Sequence, residues 1–403
     1  MNNPWSKMVV LNSAMKNLSG GSIMRNQKMF GLLMVFVMML ISLGGCATEK
    51  KQEPTTNQSS EETGGDSNTE TPAVETTSED AGKAAADFPI DPNFNPEAYE
   101  DTIEYKDLEA EFGPVPEISG DITIGAVMND LTNEYWSVLS EGIKAGAEKY
   151  GVNVDVQCVV DNNDEVGQLA LAETMVNKGY DAFIFSPMTD ELLAEPAAQA
   201  RALGAPIVNT VANLQSNANV FVGNLHYNTG RCAGEYFVEK LGGKGKVALV
   251  MGAVGMQNNT GRCNGFKSAL EGTDIEVVAE LPAEWSSETA MELATDCLTA
   301  NPDLDGFFCV NDNMALGVVE AVRAKGLLGE VMVTGIDGIS AAYDSISKGE
   351  MTATVESYTS LVGEISVELT LRLLGGQDIN RVVSTPLIMG DIDNYQEFYH
   401  PEN

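Results

Sequence analysis

Histidine is nearly missing from this 403-residue chain, with only His226 and His400 present. That scarcity leaves little room for an imidazole-based metal site or a histidine-dependent catalytic triad. Positive charge is also scarce: 23 Lys and Arg stand against 59 Asp and Glu, for a net charge of −36. A field of that sign repels phosphate backbones, so nucleic acid is excluded as a partner. Six cysteines occur, at 46, 158, 232, 263, 297 and 309, and none forms a C-x-x-C pair. Zinc-ribbon and thioredoxin readings therefore fail, and the cysteines read as small apolar core residues. Cofactor fingerprints are lacking too. Gly242-Gly-Lys-Gly-Lys246 has the wrong spacing for a phosphate loop, and Gly252-Ala-Val-Gly255 is a turn rather than G-x-G-x-x-G. No G-x-S-x-G elbow exists and nothing pairs a nucleophile with a base. The chain reads as a non-enzyme that needs no cofactor.

What is present begins with an address. Arg25 and Lys28 precede the apolar run Met29–Leu43, and Gly44-Gly45-Cys46 follows. A basic region, an apolar core and small residues before a cut describe a secretory signal; the run is short of the roughly 20 residues that span a bilayer. Leu43-Gly-Gly-Cys46 resembles the bacterial lipobox, which implies that Cys46 is diacylated and becomes the mature N-terminus. Residues 1–23 have no place in such a signal, so Met24 is the expected initiator. Residues 47–86 are rich in Ser, Thr, Glu and Gly and almost without apolar side chains. Such a segment cannot bury enough surface to offset ordering entropy and reads as a disordered acidic tether. Residues 87–119 read as an irregular lead-in that docks on the first lobe.

From Asp121 onward, short apolar strands alternate with helical patterns. Strands are expected at 122–127, 152–158, 181–186 and 206–211, with helices at 133–150, 164–178 and 190–203 between them. A second series has strands at 246–250, 275–278, 306–310 and 331–334, and helices at 258–271, 286–300 and 312–325. This pattern predicts an α/β fold of two doubly wound, Rossmann-like lobes. Ligands of open α/β sheets sit beyond the carboxyl ends of the strands. That rule selects the loops at 128–130, 186–187, 211–212, 252–259, 311–312 and 336–337. Those loops and their neighbours carry Asn129, Asn133, Tyr135, Trp136, Asn224, Arg262, Trp285, Asn311 and Asp337. Amides, a carboxylate and a guanidinium suit hydroxyls that both donate and accept, while flat aromatics suit the C–H faces of a sugar ring. Each residue also has a structural reading: Asn133 and Asn311 as helix caps, Arg262 as a surface ion-pair residue, Asp337 as a turn residue, and Tyr135, Trp136 or Trp285 as core.

Four segments together carry a family likeness: Ala126-Val-Met-Asn-Asp-Leu-Thr-Asn-Glu-Tyr-Trp136, Thr260-Gly-Arg-Cys-Asn-Gly-Phe266, Asn311-Asp-Asn-Met-Ala-Leu-Gly317 and Gly335-Ile-Asp-Gly338. The chain from about 120 to 398 resembles the periplasmic binding proteins of the ribose/galactose type. The resemblance implies a hinged two-lobe fold, with the first lobe from 120–224 and 358–386 and the second from 225–357 and 387–403. The crossings then fall near Asn224, Ser357 and Leu387. It implies ring contacts from Asn129, Asn133, Tyr135 and Trp136, hydrogen bonds from Arg262, Asn311 and Asp337, and stacking by Trp285. Ser186 and Ser357 occupy positions where that family often has amides. One departure concerns Val211-Ala212, where the compared sugar binders carry an Asp-Arg pair; its loss points to a differently substituted sugar, a polyol or a furanosyl signal molecule. The expected protein is a lipid-anchored, extracytoplasmic monomer that passes a monosaccharide to an ABC transporter permease. A receptor module feeding a chemoreceptor or sensor kinase fits the same residues. A sugar-responsive transcription factor would need a basic helix-turn-helix in place of the signal.

Overall fold

The computed structural model describes residues 94–96, 101–160, 164–210 and 213–399. The signal, Met24, Cys46, the tether and Val211-Ala212 lie outside the described residues. Two sheets organise the rest. The first has seven parallel strands: β1 (Thr102–Glu104), β2 (Thr123–Met128), β3 (Asn153–Cys158), β4 (Ala182–Phe185), β5 (Ile207–Thr210), β6 (Val220–Gly223) and β12 (Val382–Ser384). Their order is β1-β12-β6-β5-β4-β2-β3. The second contains β7 (Lys244–Met251), β8 (Asp274–Pro282), β9 (Gly306–Cys309), β10 (Met332–Asp337), β11 (Ala353–Glu356) and β13 (Ile388–Asp391), in the order β13-β11-β10-β9-β7-β8. Only β13 runs antiparallel to its neighbour. Every residue of β4, β5 and β9 is buried, the uniform pattern of strands covered by helices on both faces.

In the first lobe, α2 (Glu134–Tyr150) and α10 (Thr359–Leu374) cover one face, and α3 (Glu165–Val176) and α4 (Ala194–Ala202) the other. In the second, α5 (His226–Leu241) and α6 (Gln257–Ala269) pack together against α7 (Ser287–Ala300), α8 (Asp312–Lys325) and α9 (Ser340–Ser347) across the sheet. The centre of that core is aromatic, with Phe266 stacked on Phe308 at 4.3 Å. Gly142 is required where α2 meets α10, because a Cβ there would lie 2.1 Å from the Ser360 carbonyl oxygen. The chain passes from one sheet to the other three times: after β6, between β11 and α10, and between β12 and β13. Asn224 and Ser357 lie in the first two passages.

The lead-in corrects the expectation of irregular chain. Residues 102–104 add a parallel edge strand to β12, and a short helix α1 (Leu108–Phe112) follows a single 3-10 turn. The physical reason is an unpaired sheet edge, which three extended residues satisfy while Leu108 is buried against the first lobe. Phe94 is buried with Phe221 and Val382, and the Arg381 guanidinium lies 3.8 Å from its ring centre. The five described cysteines are free thiols, three buried and two half-buried.

Candidate functional site

Strand ends deliver the polar residues to one place. β2 stops at Met128, and Asn129 begins the loop into α2. Asn133 caps α2, its Oδ1 accepting from Tyr135 N at 3.1 Å, and so the first turn presents Tyr135 and Trp136. These rings meet edge to face at 4.8 Å. From the other lobe, β9 runs into Asn311, which caps α8 by accepting from Met314 N at 3.0 Å, and β10 ends in Asp337. Arg262 projects from α6, and Trp285 stands in the turn after β8.

These residues surround a cavity of about 230 Å³. Asn129, Asn133, Tyr135 and Trp136 form its first-lobe wall, and Arg262, Trp285, Asn311 and Asp337 its second-lobe wall. Cavities for drug-sized ligands run to about 300–1,000 Å³, so this one suits something smaller. The amides face it in a defined sense. Asn129 Oδ1 is occupied by Gln168 Nε2 at 2.9 Å, and the Asn133 and Asn311 oxygens by their caps, which leaves three NH₂ groups as donors. Gln168 is fully buried and also donates to the carbonyls of Met128 and Ser186, while its Oε1 accepts from Met188 N at 2.9 Å.

Electrostatics concentrate on the second-lobe side. Arg262 Nη1 donates to Val310 O at 2.5 Å and lies 3.6 Å from Asp337 Oδ1. Its Nε is buried without a hydrogen-bond partner. Burial pushes the Asp337 carboxyl up to about 7, and Arg262 opposes the rise. Behind it, Asp312 is fully buried and accepts from Gly338 N, Ile339 N and Thr354 Oγ1 at 2.8, 3.1 and 2.7 Å. Burial, reinforced by the charge of Asp337, holds Asp312 well above the usual carboxylate range. Asp337 itself has φ 128°, a conformation unusual outside glycine. Burial raises the Tyr135 phenol as well, with Asp337 adding to the effect across the cleft. The lobes also touch beside the cavity, where Ser340 N donates to Glu134 Oε1 at 2.8 Å.

Three expected contacts are absent from the wall. Ser186 is fully buried with its hydroxyl paired to Thr210 Oγ1, because the strand end turns it into the sheet. Asn224 donates to Thr385 Oγ1 at 2.9 Å and Pro386 O at 2.8 Å, joining the first passage to the third. Ser357 is buried within the second passage. Six wall residues escaped the reading of the sequence: Met188, Asn213, Ala253, Met256, Asn258 and Glu284. Ala253, Met256 and Asn258 fall in a loop that the strand-end rule had selected, and Glu284 adjoins Trp285. Asn213 lies just past another such loop; its amide donates to the carbonyls of Pro187 and Met188, and its Oδ1 is unpartnered. No group of three or more potential metal ligands occurs among the described residues.

Two doubly wound sheets that face each other across a small polar and aromatic cavity define a two-lobed solute-binding protein. Residues 124–378 match the family model described as a periplasmic binding protein domain. The D-allose-binding periplasmic protein of Escherichia coli (strain K12) is 33% identical over 253 residues, covering 60% of this chain and 81% of that one. A ribose import binding protein of Bacillus subtilis (strain 168) is 28% identical over 269 residues, 66% of this chain and 86% of its own. An ABC transporter periplasmic solute binding protein from Actinobacillus succinogenes 130z, solved with bound D-allose, superposes with a TM-score of 0.65 at 30% identity, covering 69% of this chain and all of its own. The chain belongs to the periplasmic binding protein family, in its type I, ribose/allose branch.

Proposed function

We propose that this protein captures a small neutral polyhydroxylated ligand, a monosaccharide, by closing its lobes, and hands it to the permease of an ABC importer. The observation that carries this reading is the double-sided wall: Asn129 and Trp136 from one lobe and Arg262, Trp285 and Asp337 from the other line one cavity. Three amide donors, a guanidinium and a carboxylate match hydroxyls that donate and accept, and the indoles match the apolar ring faces. Hydrogen bonds to charged groups net about 1.5–3 kcal/mol each, so a few of them with two stacked rings reach the roughly 8 kcal/mol of micromolar affinity. Because the ligand touches both lobes, it favours the closed arrangement by its differential affinity, and the permease reads closure. No reaction and no cofactor is involved.

The protein works outside the cytoplasm as a monomer, held to the membrane by lipid on Cys46. Two acyl chains supply the two anchoring signals that stable attachment takes. Isothermal titration with D-allose, D-ribose and an acyclic polyol tests the ligand class, with micromolar binding of at least one expected. Binding of amino acids and of none of these would overturn it. Metabolic labelling with a fatty acid, compared between the native chain and Cys46→Ala, tests the anchor.

A further inference from the structure

The stacking indole of the second lobe is held from three sides. Glu284 and Trp285 are consecutive residues with left-handed backbone, φ 52° and 65°. Such a pair of non-glycine residues is strained and persists only where its surroundings fix it. Asn313 Nδ2 donates to the Trp285 carbonyl at 3.1 Å, which pins the turn to α8. The third support is an absence of atoms. A Cβ on Gly252 would lie 2.3 Å from Trp285 Cζ2 and 2.4 Å from Cε2 and Cη2. The indole therefore lies flat on the bare Gly252 backbone, whose own N donates to Asn259 Oδ1 at 2.9 Å. Trp285 forms the cavity wall, and Gly252 is buried beneath it.

We propose that Gly252 is a positioning residue for ligand binding: its missing side chain sets how deeply the Trp285 ring withdraws and so how thick a ring the cleft accepts. This rests on the reading of the cleft as a sugar site. Gly252 does not have a left-handed backbone, so alanine meets no conformational objection there. The three atoms nearest to such a Cβ all belong to the indole. Ordinary carbon contacts begin near 3.5 Å, so the ring must move by more than about 1 Å, into the cavity.

The test is a cycle of four full-length chains: native, Gly252→Ala, Trp285→Leu and the double variant. Titration with D-allose is expected to show Gly252→Ala weakening affinity by about tenfold or more. In the Trp285→Leu background the same change is expected to alter affinity by less than about twofold, a coupling that general loosening of the loop would not produce. Acrylamide quenching of the ligand-free chains, taken as the difference from the Trp285→Leu background, should rise as the indole leaves its seat. Equal losses in both backgrounds, or native-like affinity and quenching in Gly252→Ala, would overturn the proposal. If the native chain binds no sugar, the reading of the cleft fails, and unchanged quenching in Gly252→Ala then independently refutes the role of Gly252.

Discussion

Glu134→Ala should weaken sugar binding although Glu134 is not in the wall of the ligand cavity. Helix α9 begins at Ser340 with no side-chain cap from its own N-cap residue, Ile339. The cap comes instead from the opposite lobe, as the 2.8 Å bond from Ser340 N to Glu134 Oε1. Its two ends lie on different lobes, so the opening of the lobes implied by the proposed function would break it. A hydrogen bond to a charged group is worth about 1.5–3 kcal/mol, and a carboxylate at a helix N-terminus gains a further fraction. Ser340 is exposed and Glu134 half-buried, so solvent screening brings the expected loss to about 1 kcal/mol. Apparent affinity scales with the population of the binding-competent state, and the change should read as a roughly fivefold higher Kd. Glu134→Gln keeps an acceptor without the charge and should lose about half of that energy. Titration calorimetry gives the affinities, and stopped-flow dissociation should place the change in the off-rate. Raising ionic strength should shrink the difference between native and Glu134→Gln. Native affinity and off-rate in Glu134→Ala would refute the reasoning.

Three further outcomes follow from the same geometry. Trp136→Ala should weaken the sugar by about 2 kcal/mol, roughly 30-fold, as buried tryptophan anchors do; calorimetry checks it, and a change under threefold would remove Trp136 from the ligand contacts. Burial holds the Asp337 carboxyl at about 7 rather than 3.8, so the fold favours its protonated form. That contribution to stability is complete below pH 3.8 and is lost as pH rises through about 7. Between pH 5 and 8 the ligand-free native chain should therefore lose more melting temperature than Asp337→Asn, and parallel profiles would contradict it. Arg372 is buried in α10 and grips Glu368 through two bonds of 2.8 and 2.9 Å. Arg372→Met leaves a buried carboxylate with only the Tyr150 hydroxyl at 2.9 Å and should cost about 3–5 kcal/mol, visible as a lower denaturation midpoint, with Glu368→Leu in the same chain recovering part of it.

The alternation of strands and helices was legible because β2, β4 and β9 are short apolar runs and α2, α3 and α8 are followed within three residues by Gly151, Gly179 and Gly326, all with positive φ. Helix α10 was not, since Val362, Ile365, Val367, Leu369 and Leu371 are all buried and blur the one-sided pattern that marks a surface helix. Strand β1 is three residues whose only reason to extend is an edge supplied some 280 positions later, which no local pattern reveals. Eight of the eleven expected ligand residues line the cavity because loops at strand ends point where the sheet points. Ser357 came from family likeness alone, whereas the strand-end rule also selected Ser186, whose short hydroxyl pairs within the fold with Thr210 Oγ1. Asn213 was missed for the opposite reason: an asparagine past a strand end looks like a turn, and its value lies in which of its two polar atoms the neighbouring carbonyls consume.

Gln168 has a consequence for how one wall residue is presented. By tying the ends of β2 and β4 to α3, it fixes the Asn129 amide from within its own lobe. That amide, already held by its own lobe, would lose little rotamer freedom on meeting a ligand. In the capture proposed above, Asn129 would serve as a fixed point of contact for the ligand.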